Sequence, residues 1–540
     1  MIGMHNFKLG IILTLLFCFS DTWSLNRVFG QPKLESFFPA CVEIGKKSTV
    51  KVLGTFANWP VKVIVDRPGL NITVGEKGIL GVDVSAEAVP GIYWVRLLDP
   101  SGVSEPRAII LDRMNVVEEA EPNDRLNQTQ SIKLPAAVTG VLAKSGDVDC
   151  YSVILKKGDT LVASMIANPV LGTSMDGVIQ ISDSRGFVLN QNDDSKGVDP
   201  QLVVKIPRDG NYLVRAFAFP AAPNSTVRFA GAADYRYVLR LTTGPFVDTS
   251  IPFPSHSIQE NARLVGWNLE PGILAVSISQ KLQTVNSESR PLPTTIAYSP
   301  QAAGWFETTN RFRTLPSEMV LNVTESITKP GEFDLFQFEA TKGKKLRLEI
   351  ESRQYGYELD PVITVFDANG KKLAEKDDRS KTEPDPVLDF AIPSSGSYFV
   401  RVKDVGDAGG KRFYYRLQIN AVVPDFELSV AKSSLVVTEK QPVEFEVAVN
   451  RLDGFDKEIS VTAFDLPSNI LCESVISKPK GDSAKKVKLK FALKTKKAFQ
   501  GRIEIRGVAK SNDGSIRLQR IATFALPKGK SRDLFLTAKE

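Results

Sequence analysis

Gly210-Asn211-Tyr212-Leu213-Val214-Arg215 reads as a β-strand entered through a turn. Glycine permits the turn, and Tyr212 and Val214, two positions apart, fall on one face of an extended chain. The pattern returns as Gly91-Ile92-Tyr93-Trp94-Val95-Arg96 and as Gly396-Ser397-Tyr398-Phe399-Val400-Arg401, with Gly501-Arg502-Ile503-Glu504-Ile505-Arg506 as a degenerate fourth copy. Each copy is expected to mark one two-sheet sandwich, with the Tyr ring in the core and its hydroxyl tied back to nearby backbone. From Phe37 onward the chain alternates with period two, as in Leu346-Arg347-Leu348-Glu349-Ile350-Glu351 and Val443-Glu444-Phe445-Glu446-Val447. Apolar residues on one face and charges on the other suit strands with one wet side, and long helical periodicity is absent. The expectation is an all-β chain of tandem β-sandwich domains.

Whole-chain properties narrow the setting. Lys8 precedes the apolar run Leu9 to Phe19, too short to span a bilayer and of the right length for a secretory signal, with cleavage expected before Gln31. Bulky Phe17 before Cys18 argues against a lipoprotein anchor, and no later stretch reads as a membrane span. The expected location is secreted, periplasmic or cell-surface. Cys41, Cys150 and Cys472 remain, an odd and scattered set that is no disulfide framework, so stability is assigned to apolar cores. A net charge of +6 over 540 residues is small and dispersed. Lys485-Lys486-Val487-Lys488-Leu489-Lys490 therefore reads as strand-edge protection and solubility, and nucleic acid is not an expected partner.

The most specific chemistry lies between Glu119 and Tyr151. Glu119-Ala120-Glu121-Pro122-Asn123-Asp124 and Gly146-Asp147-Val148-Asp149-Cys150-Tyr151 place oxygen-bearing side chains in two clusters around an apolar run. Hard cations take six to eight oxygen ligands, and Pro122 favours an extended hook that can turn several side chains to one ion. These motifs resemble the opening of the bacterial pre-peptidase C-terminal (PPC) domain, a small β-sandwich appended to exported proteases and other exported proteins. The resemblance extends to a repeat: Asp183, Gly186, Asp194, Asp199-Pro200, Pro207, Gly210 and Tyr212 are echoed by Asp367, Gly370, Asp378, Asp385-Pro386, Pro393, Gly396 and Tyr398. Both copies look like PPC domains, and their likeness to domains of bacterial collagenases implies calcium at Glu119, Glu121, Asn123, Asp124, Asp147 and Asp149. The second copy has Val323-Thr324-Glu325-Ser326 in place of the hook, so its site is expected to be missing or crippled. Cys150 is expected to be a buried structural thiol.

The expected organisation is a signal peptide at 1–30, an immunoglobulin-like sandwich at 31–115, the first PPC-like domain at 116–243, an immunoglobulin-like domain at 244–322, the second PPC-like domain at 323–422 and an immunoglobulin-like sandwich at 423–540. The immunoglobulin-like assignments rest on resemblance to modules found beside PPC domains. The joints Gly244-Pro245 and Val423-Pro424 suit such boundaries.

Catalysis is tested by elimination. The histidines are His5 and His256, so a Ser-His-Asp or Cys-His site would need His256, and a His-Glu-x-x-His zinc site is impossible. No Gly-x-Ser-x-Gly elbow is present, and Gly481-Asp482-Ser483 reads as a Lys-rich turn. Asn192-Asp193-Asp194 and Asp377-Asp378 read as acidic turns that bond their own backbone. The leading expectation is a non-enzymatic scaffold that binds extracellular or envelope polysaccharide or protein, with calcium stiffening one joint. The alternatives are an accessory arm of a separately encoded exported peptidase and a carbohydrate-active enzyme with paired carboxylates.

Overall fold

Three corner tyrosines organise the molecule. Tyr93, Tyr212 and Tyr398 are buried, and each hydroxyl donates to the carbonyl four residues earlier, at Val89 (3.1 Å), Arg208 (2.7 Å) and Ser394 (2.6 Å). The ring fills the core while the hydroxyl closes the turn into the strand. The fourth copy has Ile503 in that place, fully within its core and without a hydroxyl to tie.

The computed structural model describes residues 30–220, 228–251, 263–269, 311–314, 320–381, 383–439, 442–510, 516–526 and 530–539. The expected signal peptide, His256 and most of the expected domain at 244–322 lie outside these residues.

The described strands form four sandwiches. The first pairs the sheet Lys33–Phe38, Lys47–Thr55, Ile79–Val84, Leu70–Val74 with the sheet Cys41–Glu43, Arg107–Asp112, Gly91–Asp99, Lys62–Val65. The second has Asn115–Glu118, Ala136–Val141, Arg236–Thr242, Thr160–Ile166, Gln201–Lys205 over Gln130–Ser131, Asp149–Leu155, Gly210–Pro220, Met175–Asp183, Val188–Asn192. In the third, Val320–Ser326, Tyr414–Ala421, Lys345–Glu351, Val387–Ala391 face Arg311–Thr314, Phe333–Ala340, Gly396–Asp404, Pro361–Asp367, Lys372–Lys376. The second and third share one strand order, so the sequence repeat is a repeat of topology. Among the described residues only Asn115–Glu118, the strand that leads into the hook, lacks a counterpart. The fourth sandwich packs Asp425–Ser429, Val443–Leu452, Lys486–Leu493, Ile470–Cys472 against a sheet built on Phe499–Lys510 and Leu534–Lys539.

Two expectations change here. Arg311–Thr314 pairs in parallel with Phe333–Ala340, Arg311 opposite Asp334, so it belongs to the second PPC-like sandwich and not to a domain ending at 322. Four residues carry too little periodicity to reveal such an edge partner. Lys486–Leu493 lies inside its sheet, between Val443–Leu452 and Ile470–Cys472, so its lysines do not guard an edge. They line a wet face and pair across strands, Lys486 with Glu446 (3.0 Å) and Lys488 with Glu444 (2.8 Å).

The repeated acidic positions serve the fold. Asp199 accepts from the backbone N–H of Ala167 and Asn168, and Asp385 from Ser352, Arg353 and Gln354, each fixing a short helical turn. Asp183 and Asp367 each accept two N–H groups of their own hairpin turn. Asn192 likewise accepts from Ser195 and Gln201.

Neighbouring sandwiches are joined tightly. Ala40, Cys41, Ile110, Ala137, Val238 and Phe246 share an apolar cluster between the first and second sandwiches, beside an Arg240–Asp112 ion pair at 2.8 Å. Between the PPC-like sandwiches, Asp248 pairs with Lys196 (3.2 Å) and with Arg412, and Arg412 donates to the carbonyls of Ser195 (2.9 Å) and Gly356 (2.6 Å). Burial pushes the Asp248 carboxyl up, but Lys196 and Arg412 outweigh it and hold it below its usual value. Arg347 grips Asp453 of the fourth sandwich with both terminal nitrogens, at 3.0 and 2.6 Å. Finally the first sandwich meets the fourth: buried Arg96 donates to Ser433 Oγ (2.7 Å) and to the Asp533 carbonyl (3.3 Å), and Ser433 Oγ donates to Glu105 (2.5 Å). The chain thus closes on itself.

Candidate metal centre

Asn115–Glu118 runs parallel to Ala136–Val141 and delivers Glu119 beside Gly140 and Val141. Glu119 Oε2 accepts from the Val141 N–H at 2.5 Å, and Glu121 Oε2 from the Asn123 N–H at 2.8 Å. The Asn123 carbonyl then accepts from the Cys150 N–H at 3.0 Å, which docks the hook on the strand Asp149–Leu155. Cys150 is buried, as expected of a structural thiol. Pro122 follows a cis peptide bond.

Five of the six expected residues, the carboxylates, come together, and Asn123 sits in the same hook with its side chain buried. Glu119, Glu121 and Asp149 place carboxylate oxygens within 4.8 Å of one another, and so do Glu121, Asp124 and Asp147, with Glu121 shared. Asn123, Asp147 and Asp149 are fully buried at 0% exposure, which is rare for a polar amide or a carboxylate without compensation. Several of their atoms make no hydrogen bond: both side-chain atoms of Asn123, and Oδ1 of Asp124, Asp147 and Asp149. The nearest ammonium, Lys144, is exposed and stands 3.4 Å from Asp124 and 4.0 Å from Asp147. Burial first, and neighbouring carboxylates after it, push Glu119 up to about 7 and Asp149 up to about 9. Each carboxylate of the cluster has a donor on one oxygen at most, Asp147 Oδ2 from the Ala143 and Lys144 N–H groups among them, and the buried oxygens left over fit a hard cation that takes oxygen ligands.

Three contributors were not anticipated. Tyr237 donates to Asp149 Oδ2 at 2.5 Å, and its oxygen lies 2.5 Å from that of Tyr151, so two buried phenols orient one carboxylate. Burial holds both phenols far above their usual titration, which keeps them as donors. The signal that could have found Tyr237 is its counterpart in the second copy, Tyr415, which ties Asp334 in the same way. Gly140 is the third. A Cβ there would lie 2.3 Å from Glu119 Oε2 and 2.4 Å from the Tyr237 hydroxyl, so only glycine admits the hook carboxylate.

The second copy shows the complementary choice. Gly140 stands opposite Tyr237, whereas Glu325 stands opposite Tyr415, so the position that is bare in the first copy carries a side chain in the second. Asp334 keeps its tyrosine, with Tyr415 donating at 2.6 Å, and Glu332 turns to Thr328 and to the Lys329 N–H (3.1 Å). Among the described residues no cluster of carboxylates assembles in this copy.

A model of the bacterial pre-peptidase C-terminal domain matches residues 332–404, within the second copy. A probable subtilase-type serine protease of Deinococcus radiodurans is 30% identical over 115 residues, which are 20% of this chain and 16% of that protein's length. Among solved structures, the PPC domain of a Bacillus anthracis collagenase is 11% identical, with 21% of this chain and 97% of that one covered at a TM-score of 0.17. A periplasmic inhibitor of g-type lysozyme from Aeromonas hydrophila is 15% identical with the same coverage and TM-score. Residues 332–404 are therefore a bacterial pre-peptidase C-terminal domain, set in a chain of tandem β-sandwiches whose second sandwich repeats its strand order.

Proposed function

We propose that the protein is an exported, non-catalytic scaffold whose first PPC-like sandwich takes calcium through Glu119, Glu121, Asn123, Asp124, Asp147 and Asp149, and which holds an extracellular or envelope polysaccharide or protein. The observation that carries the calcium reading is the set of buried oxygens without hydrogen bonds converging on Glu121. A cation bridging hook and strand would fix Asn115–Glu118, the segment just beyond the joint with the first sandwich, and so stiffen that joint. Calcium supplies charge neutralisation there; the chain supplies the oxygens and the two phenols that hold Asp149 in place.

Calorimetry and melting of the full chain with calcium against chelator test this reading. A ligand that binds only the folded form adds about 2.7 kcal/mol at a hundredfold excess over its dissociation constant. A melting rise of that order is expected, lost in Glu121→Ala, which removes the ligand shared by both triads, and kept in Glu325→Gln. Neither heat nor melting shift at millimolar calcium would leave the cluster a protonated acidic joint.

The identity to a segment of a subtilase-type protease favours a second reading, an accessory arm working beside a separately encoded peptidase. Co-purification of a peptidase with the full chain from envelope fractions separates it from polysaccharide retention, and a substrate-blind hydrolysis screen of the pure protein checks the absence of catalysis.

A further inference from the structure

Closure of the first sandwich on the fourth leaves a cleft of about 760 Å³ that receives side chains from all four sandwiches. That volume lies within the range of small-ligand sites, and such sites form preferentially where domains meet. The immunoglobulin-like walls are outer sheet faces. Trp94 and Arg96 alternate with the core residues Tyr93 and Val95, and Ile64 stands directly opposite Arg96. Across the cleft, Arg502 and Phe535 alternate with the core residues Ile503 and Leu534. The second PPC-like copy adds Tyr355, a residue 40% exposed whose hydroxyl accepts from Arg416 at 2.9 Å, with that guanidinium 5.6 Å from its ring centre.

Cations outnumber carboxylates among the residues that line this cleft. Arg67, Arg96, Arg502 and Lys530 line it against Asp66 and Asp533. Arg96 is consumed by the closure contacts, but the side chains of Arg67, Arg502 and Lys530 are 43%, 56% and 64% exposed. Their carboxylate partners, Asp66, Asp533 and, from outside the lining, Glu427, stand at 3.2, 3.3 and 3.9 Å, solvent-exposed pairs of small worth that a better-placed anion can replace. Guanidinium forks match carboxylates two bonds at a time, and half-exposed aromatic faces accept flat apolar surface. Sheet faces offer side chains and not backbone ladders, so these walls do not favour an extended peptide, which gains most of its affinity at sheet edges.

We propose that the four-domain cleft is a binding site for an acidic oligosaccharide of uronate type, its carboxylates on Arg67 and Arg502 and its ring faces on Trp94 and Tyr355. The proposal rests on the scaffold reading and names the ligand class and its place.

Titration calorimetry of the full chain with an oligogalacturonate, a neutral oligosaccharide of equal length and an oligoglutamate decides it. Binding of the oligogalacturonate is expected, weakening in high salt. About tenfold or greater loss is expected in Arg67→Gln/Arg502→Gln and in Trp94→Ala, while melting stays unchanged. Lys488→Gln, on the opposite sheet of the fourth sandwich, should bind normally. Oligogalacturonate binding that survives both variants would move the site elsewhere and overturn the cleft while leaving the scaffold reading intact. Arg-dependent binding of oligoglutamate alone would assign the cleft to an acidic peptide, and no binding of either would remove the site. The scaffold reading fails separately, if envelope fractions yield neither retained polysaccharide nor retained protein.

Discussion

Single positions decide whether the first PPC-like sandwich can hold a cation. At Gly140 an added methyl meets Glu119 and the Tyr237 hydroxyl at once, and the phenol cannot swing aside because it is buried against Asp149. Gly140→Ala should therefore abolish calcium stabilisation and cost roughly 1–3 kcal/mol in chelator, read by urea denaturation with and without calcium. Wild-type calcium response in that variant would remove Glu119 from the ligand set. The buried acids also set a pH dependence. Glu119 at about 7 and Asp149 at about 9 in the folded, metal-free chain lie above the ordinary carboxylate value of about 4 in the unfolded one. Between those values the folded state keeps protons that the unfolded state has lost, so stability is full at acid pH and falls as pH rises through about 7 and about 9. Calcium needs the ionised carboxylates, so the melting shift it causes should grow over the same window. A metal-free melting temperature that climbs from acid to alkaline pH would contradict the placement of these groups.

At the scale of elements, the corner strand repeats one device. Its tyrosine fills the core and its hydroxyl ties the preceding turn, at Tyr93, Tyr212 and Tyr398. Tyr212→Phe and Tyr398→Phe should each cost about 1 kcal/mol, since each removes one hydrogen bond and keeps the ring. The two sites are in separate sandwiches, so the double variant should lose the sum, measured by chemical denaturation. This much was legible from Gly-x-Tyr-x-Val alone, because period two fixes which side chains share a face. The edge strands Gln130–Ser131 and Arg311–Thr314 were not legible. They are too short to carry periodicity, and their extended form comes from pairing with Asp149–Leu155 and Phe333–Ala340.

For the whole molecule the deciding contact joins residues more than three hundred positions apart, where Arg96 reaches Ser433 and the Asp533 carbonyl and stacks over Phe524 and Phe535 at 5.3 and 5.2 Å. Burial lowers the Arg96 guanidinium to about 10, yet it stays charged at neutral pH. Arg96→Ala should strip the closure of its central donor at a cost of about 2 kcal/mol. The first and fourth sandwiches should then part, seen as a larger radius of gyration in solution scattering and faster amide exchange around Ser433. An unchanged radius and exchange pattern would show that the neighbouring joints alone hold the ring.

The sequence by itself determined the all-β class, the repeat and the acidic composition of the hook, because alternation, turn glycines and clustered oxygens are local in the chain. One sequence reading moves: Val323-Thr324-Glu325-Ser326, expected to stand in place of the hook, belongs to the strand that matches Ala136–Val141, and the residues that would match the hook precede Arg311–Thr314, outside the described ones. Only the tertiary structure decided that Tyr237 orients Asp149, that Gly140 makes room for Glu119 while Glu325 occupies the matching position, and that four sandwiches enclose one cleft. Those relations join residues from distant strands through packing and charge, and packing partners leave no periodic mark on the segments that will meet.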